Sequence, residues 1–355
     1  MAISFITQLD DVMFSSALQR LAINANEGET SVTFTLKHNT SVIFSNTYIP
    51  DANGNVYIYD LNKLLDNAII ESHGSFTFVA GDVSASLVVV RCNILLSLSA
   101  SSFIDEYFLS PCVNGRRITS RYRHEAINIL DLSGMDVAVT ATANYYLDGK
   151  LSSHDFDLET VKGFASVNVS SAQFVMPSLG RLVAYTIKAG NRSMTYEMVN
   201  HNPDDVGVVY RNCFNAYETF YFSGLFATEI GHTRSTATIG GKITTYDIVP
   251  EHLQKVNTGP IPYGNEILCY DLCNSMELYL LGDDGNFGDE IVITDADIKS
   301  DNAPDSISDF VVTWKLSDRL STKITTPKKV KLFDPTFDDT FNYQSNPLAR
   351  CHSSL

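Results

Sequence analysis

The sequence predicts a mainly β fold, made of several β-sandwich or barrel-like units with a few short helices. Three observations carry this. Apolar and polar residues alternate over short runs, as in Ser31 to Lys37, where Val32, Phe34 and Leu36 share one face, and in Asp309 to Leu316, where Phe310, Val312, Trp314 and Leu316 do so. A period of two is the mark of a strand buried on one side. The runs are separated by Gly, Pro, Asn and Asp turn chemistry, and no long helical period interrupts them.

In chain order, Ser41 to Phe44 and Asn55 to Tyr59 read as strands flanking the turn Pro50-Asp51-Ala52-Asn53-Gly54. Pro presets φ there, and Asn and Gly tolerate positive φ. Asp60 then reads as the N-cap of a short amphipathic helix through Leu61, Leu64 and Leu65. Strands resume at Ser75 to Phe78 and at Leu87 to Val90, and a second helix is expected over Ser102 to Phe108, opened by a capping-box-like Ser102 and Asp105. These elements define a first domain, residues 1–110.

A second domain, residues 111–200, reads as a β-sandwich. Met135 to Ala141, Ser166 to Ser170 and Val183 to Ile187 alternate, and Ala189-Gly190-Asn191-Arg192 is a tight hairpin turn into Met194 to Met198. A third, residues 201–326, continues with Glu218 to Phe222, then Ala237 to Ile239, a Gly240-Gly241 turn and Ile243 to Tyr246. Its single helix is expected within Asn265 to Leu281. Residues 327–355 form a C-terminal arm in which Phe333, Phe337 and Phe341 recur every four residues, with Pro335 breaking any continuous helix.

Composition narrows the function. With 355 residues, 44% hydrophobic and 19% charged, the chain can bury more than one core. Asp and Glu number 41 against 25 Lys and Arg, and the net charge of −16 repels a phosphate backbone, so no nucleic-acid partner is expected. The one basic cluster, Arg116, Arg117, Arg121 and Arg123, reads as a solvated strand face or as ion-pair partners for acidic neighbours. Met1 to Ile6 lacks the features of a secretory signal, and Leu87 to Val90 is far shorter than the roughly 20 residues that span a bilayer, so neither export by that route nor a membrane span is expected.

Six cysteines at 92, 112, 213, 269, 273 and 351 have no disulfide rhythm and are expected to stay reduced, as in a cytoplasm. Cys269 and Cys273 stand one helical turn apart but lack a second ligand pair for zinc, so they read as packing residues. His201 with Asp204 and Asp205 reads as a polar turn. The acidic stretch Gly282 to Glu290 departs from the EF-hand order, because Gly288 falls at position five counted from Asp284, and it reads as a flexible hairpin loop. No phosphate-binding glycine loop, zincin pair or nucleophile elbow is present, so no catalytic residue, metal or cofactor is assigned.

Four segments carry a resemblance: Met1 to Gln8; Thr47 to Gly54; Tyr210-Arg211-Asn212-Cys213-Phe214-Asn215-Ala216-Tyr217-Glu218-Thr219-Phe220; and Phe333-Asp334-Pro335-Thr336-Phe337-Asp338-Asp339-Thr340-Phe341. Taken together and in order, they resemble a group of uncharacterised phage and prophage proteins from Bacteroidetes that look like tail or baseplate structural components. Tyr217 departs from the Pro more usual before the Glu-Thr pair. The resemblance implies a non-enzymatic virion subunit, assembled in the bacterial host cytoplasm as a homo-oligomer (a ring or collar) with other virion or tail subunits. The tail phenylalanines would then anchor an arm on a neighbouring copy, with Asp334, Asp338 and Asp339 meeting the Arg116 to Arg123 region. A carbohydrate-binding or adhesive module is the alternative, with tyrosines or Trp314 as stacking faces, although Trp314 lies on the apolar side of its strand. A glycan-acting hydrolase comes third.

Overall fold

A computed structural model describes residues 3–25, 28–200, 202, 205–262, 264–297 and 309–317. The fold is mainly β, as the alternation predicts, with five sheets and three α-helices among the described residues. The first part of the chain comprises β1 (Ser4–Phe5), β2 (Val12–Phe14), β3 (Arg20–Asn24), β4 (Val32–His38), β5 (Ser41–Tyr48), β6 (Asn55–Tyr59), α1 (Leu61–Ala68), β7 (His73–Ala80) and β8 (Val83–Val90). A five-stranded sheet in the order β2-β8-β7-β4-β5 and a three-stranded sheet in the order β1-β3-β6 share one core. Val32, Phe34 and Leu36 enter it from β4, while Leu21, Ile23, Val56 and Ile58 enter from the smaller sheet. Burial of a side chain such as Phe34 stabilises by about 1.5–3 kcal/mol before ordering costs.

Local chemistry accounts for the joints. In the turn at 50–54, Asp51 Oδ1 accepts from the backbone N–H groups of Asn53 and Asn55 at 2.8 and 2.9 Å, and Gly54 takes a φ of 76°. This turn carries the chain from β5 in one sheet to β6 in the other. Asp60 does precede α1, but it adopts a left-handed φ of 56° and makes no side-chain cap; its carboxylate pairs with Lys63 instead. The second helix, α2 (Ala100–Glu106), starts earlier than expected. Its cap is Ser99, whose hydroxyl accepts from the Ser102 N–H at 3.2 Å, because Ser99 is the last residue with extended backbone.

Next come β9 (Arg116–Thr119), β10 (Ala126–Leu130), β11 (Val137–Leu147), β12 (Lys150–Val161), β13 (Phe164–Asn168), β14 (Arg181–Ala189) and β15 (Arg192–Met198). They are followed by β16 (Val206–Arg211), β17 (Tyr217–Phe222), β18 (Phe226–Ile239), β19 (Lys242–Asn257), α3 (Glu266–Cys273), β20 (Leu278–Leu281), β21 (Phe287–Asp297) and β22 (Val311–Leu316). The sheet order β12-β11-β14-β15-β9 faces the seven-stranded order β17-β16-β20-β21-β22-β19-β18 across a common core that runs from Phe108 to Trp314. The 189–192 turn forms as expected, with Ala189 paired to Arg192 and Gly190 at a φ of 61°. The expected helix over Asn265 to Leu281 is limited to Glu266–Cys273; Leu278–Leu281 is recruited as a strand beside β16. Two pairings, β2 with β8 and β15 with β9, are parallel.

Trp314 is fully buried in this core, where its indole N–H donates to Gln254 Oε1 at 2.8 Å and its ring meets Phe222 edge-on. It therefore offers no stacking face to a sugar. The Phe333, Phe337 and Phe341 arm lies outside the described residues, as do His201 and Asp204. No described helix is long and apolar enough to cross a membrane.

Candidate functional site

The densest polar chemistry lies where β9, β17 and the β9–β10 connection meet. Arg117 and Arg123, expected on a solvated face, are only 6% and 5% exposed. Arg117 Nη1 donates to Glu218 Oε1 at 2.8 Å and Nη2 to the Thr219 carbonyl at 2.9 Å, with Glu125 Oε2 at 4.0 Å. Arg123 donates through Nε and Nη2 to Asp205 Oδ2 at 2.9 and 2.7 Å, and its guanidinium lies over the Tyr221 ring. The ion-pair reading holds for these two, and the surface reading does not. β9 packs its inward side chain against β17, and a buried guanidinium persists only where carboxylates accompany it. Arg116 and Arg121 remain exposed, the first 3.4 Å from Glu197 and the second over Tyr122. Arg117 and Arg123 are thus already paired within their own chain and unavailable to a neighbour's acidic arm.

Burial is the largest single influence and would lower the Arg117 pKa, but the Glu218 carboxylate together with Tyr196, Glu125 and Cys112 more than offsets it and holds the guanidinium charged. Glu125 is shifted up by burial in spite of Arg117 and Arg123, and its two oxygens accept from Thr119 at 3.0 Å and Thr219 at 3.2 Å. A cavity of about 40 Å³ adjoins Arg117, Arg123 and Tyr221, room for a water-sized guest.

In the Arg211 to Thr219 segment the polar side chains bond to one another and to the surrounding elements. The segment is the β16–β17 hairpin, and every polar member has a partner. Asn212 Oδ1 accepts from the N–H groups of Phe214 and Ala216, both at 3.0 Å, which closes the loop; its amide donates to Leu109 O and to Glu218 Oε2. Arg211 donates to Glu277 Oε2 at 2.7 Å and to the Asn215 carbonyl at 3.0 Å. Asn215 takes a φ of 63° and donates to the Ile70 and Glu71 carbonyls, tying the loop to the N-terminal sandwich. Phe214 is buried between Phe14 and Phe103. Tyr217, in the place where Pro was expected, lies over the Arg211 guanidinium and donates to Glu277 Oε1 at 2.6 Å, so the turn forms intact. The motif is a joint between sheets.

Asp271, on α3, accepts from the Cys213 N–H at 3.1 Å behind this hairpin. Burial, then the Glu218 charge, push its pKa up to about 7 from the ordinary 3.8. The folded chain therefore holds this proton more tightly than the unfolded chain between those two values, so stability is lost as pH rises through the window. Asp271→Asn, whose carbonyl still accepts from Cys213, is expected to flatten that fall. Denaturant midpoints at pH 5, 6, 7 and 8 check this; parallel curves for wild type and variant would rule out the raised pKa.

Cys269 and Cys273 share one hydrogen bond on α3; it joins burial in holding the Cys269 pKa up, and it holds that of Cys273 down against the opposite effect of burial. Cys269 is fully buried and Cys273 partly so. Five of the six cysteines are described, all free. Arg192, which reads in the sequence only as the last residue of a turn, is buried and donates to Ile104 O at 2.6 Å and Leu130 O at 2.8 Å, joining α2 to the central sheet. No local signal marks it, because the two carbonyls that it ties together lie 88 and 62 residues away along the chain. The acidic loop is anchored rather than loose: the His124 ring nitrogen Nε2 lies 3.1 Å from the Asp283 carbonyl, and Asp284 accepts from Asn286, whose N–H holds the Asp284 pKa down. No metal-binding cluster of three or more His, Cys, Asp or Glu occurs among the described residues.

Strands β18 and β19 form a long ribbon. β18 and β19, 14 and 16 residues long, pair from Phe226 and Val256 at the base to Ile239 and Lys242 at the tip, where Gly240 and Gly241 take φ values of 61° and 78°. β22 accompanies β19 only from Gln254 to Asn257, so beyond that point the described ribbon has two strands. Register places Phe226, Ile230, Ile248 and Ile243 on the face that buries Val256 at the base, yet they are 46, 61, 49 and 78% exposed. The same face also carries His232, Arg234 and His252, and the opposite face carries Glu229, Asp247, Lys242 and Lys255 together with Ile239 and Leu253. Beyond the core the ribbon therefore exposes large apolar side chains interleaved with charged ones.

No protein-family model matches the chain, and no curated protein matches it. Among solved structures, a crystal structure of calcium binding domain CBD12 of CALX1.1 is similar over 54% of this chain and 79% of that one, at 8% identity and a TM-score of 0.21.

Proposed function

We propose that this protein is a structural subunit of a phage virion or tail-like particle and works by oligomeric assembly, without a chemical step of its own. The observation that carries the reading is the ribbon of β18 and β19 with its exposed apolar side chains. A two-stranded hairpin is marginally stable in water by itself, and four large aliphatic or aromatic side chains along one face are a surface that becomes stable when covered. The resemblance of the Arg211 to Phe220 and Thr47 to Gly54 segments to tail or baseplate components points the same way, and the motif's residues act as joints between sheets.

Solution mass together with fractionation of purified particles tests the proposal. The wild-type chain is expected in particles and as an oligomer, and Ile230→Ser with Ile243→Ser is expected to weaken self-association at least about tenfold, as loss of central apolar anchors does. Both positions are exposed, so the fold should survive. A chain that stays monomeric at every concentration and is missing from particles would sink the reading.

A further inference from the structure

The geometry points to a second copy of this chain as the ribbon's partner, docked head to tail so that the β18 edge of one copy extends the sheet that ends in β12 of the next. This deepens the assembly reading and rests on it. Among the described residues both strands end their sheets: β18 closes the order β22-β19-β18, and β12 opens the order β12-β11-β14. At 14 and 12 residues they are long, and neither contains the proline that blunts many edge strands.

Charge selects this pairing over others. Of the net −16, none resides in residues 226–257, where Arg234, Lys242 and Lys255 balance Glu229, Asp247 and Glu251. The ribbon can therefore approach another copy that the rest of the surface would repel. β12 presents Asp155, Asp157 and Glu159 to solvent, and the ribbon's outer half carries Arg234 and Lys242, also exposed. Two ribbons packed face to face about a two-fold axis beside Arg234 would set it against its own copy, whereas β12 offers it carboxylates. The spacing also matches: Ile230 and Arg234 stand on one strand face four residues apart, as Leu151 and Asp155 do on theirs. Pairing the strands parallel brings aliphatic to aliphatic and guanidinium to carboxylate. A contact between two different surfaces of the same chain closes into a ring if the rotation permits.

Two charge-reversed proteins test it, R234E/K242E and D155K/D157K, with D155N/D157N as a milder companion. All four positions are exposed, and thermal melting verifies folding. Each reversed protein alone is expected to self-associate at least about tenfold more weakly than wild type, because like charges then face each other across the strand pair. An equimolar mixture of the two is expected to recover association, since each basic edge again finds an acidic one. If D155K/D157K assembles normally while R234E/K242E does not, ribbons pair with something other than β12 and the inference is overturned. If wild type assembles and neither reversal matters, the inference is overturned while the assembly reading stands. A monomeric wild type absent from particles overturns both.

Discussion

Glu218→Ala is expected to destabilise the chain by about 3–5 kcal/mol, the cost of leaving a buried guanidinium without its partner. Glu218 is 1% exposed and accepts three hydrogen bonds, from Arg117, Ser110 and Asn212, at 2.8, 2.6 and 2.9 Å. Its removal strands Arg117, whose remaining carboxylate, that of Glu125, is 4.0 Å away. Denaturant unfolding measures the loss. Arg117→Met in combination with Glu218→Leu is expected to recover much of it, because an apolar pair of similar volume no longer carries desolvated charge. A Glu218→Ala variant within about 1 kcal/mol of wild type would mean that water reaches the guanidinium.

The second large effect is expected at Phe214, where truncation to Ala should cost about 3–5 kcal/mol. This ring is fully buried, with centroids 6.0 Å from Phe14 and 5.1 Å from Phe103. It sits in a small core of its own, formed with Val90 and Cys92 at the end of β8, Phe103 and Ile104 of α2, and Leu130. That core joins the N-terminal sandwich to the larger one. Phe214→Ala should therefore also split the unfolding of the chain into two transitions, the N-terminal sandwich separating from the rest. Calorimetry distinguishes the outcomes: a single transition with an unchanged midpoint would show that Asn215 and its bonds to Ile70 and Glu71 suffice as the joint.

Virion assembly remains a proposal that the ribbon supports and that mass measurement decides. Its physical basis is a ribbon whose exposed apolar side chains outrun their own core. The corresponding sequence signal, Ile239-Gly240-Gly241-Lys242 between alternating runs, announces a hairpin; its length beyond the sheet emerges only from the four-residue contact between β19 and β22.

The class of the fold and most of its strands were legible in the residues themselves. Val32, Phe34 and Leu36 point inward together because a strand's side chains alternate, and Gly190 or Gly240 turns the chain because glycine accepts positive φ. Such features depend on neighbours a few residues apart. Helix ends were less legible, since Ser99 and Ser102 offer the same cap chemistry and packing of Phe103 and Ile104 settles which is used. The stretch after Cys273 could continue as a helix on its own pattern, but β16 draws Leu278 to Leu281 into a sheet. Burial of Arg117 and Arg123 was illegible for a stronger reason: their carboxylates lie 101 and 82 residues away, at Glu218 and Asp205. A guanidinium is equally at home in water or beside a buried carboxylate, so the choice falls to whichever strand the rest of the chain brings against it.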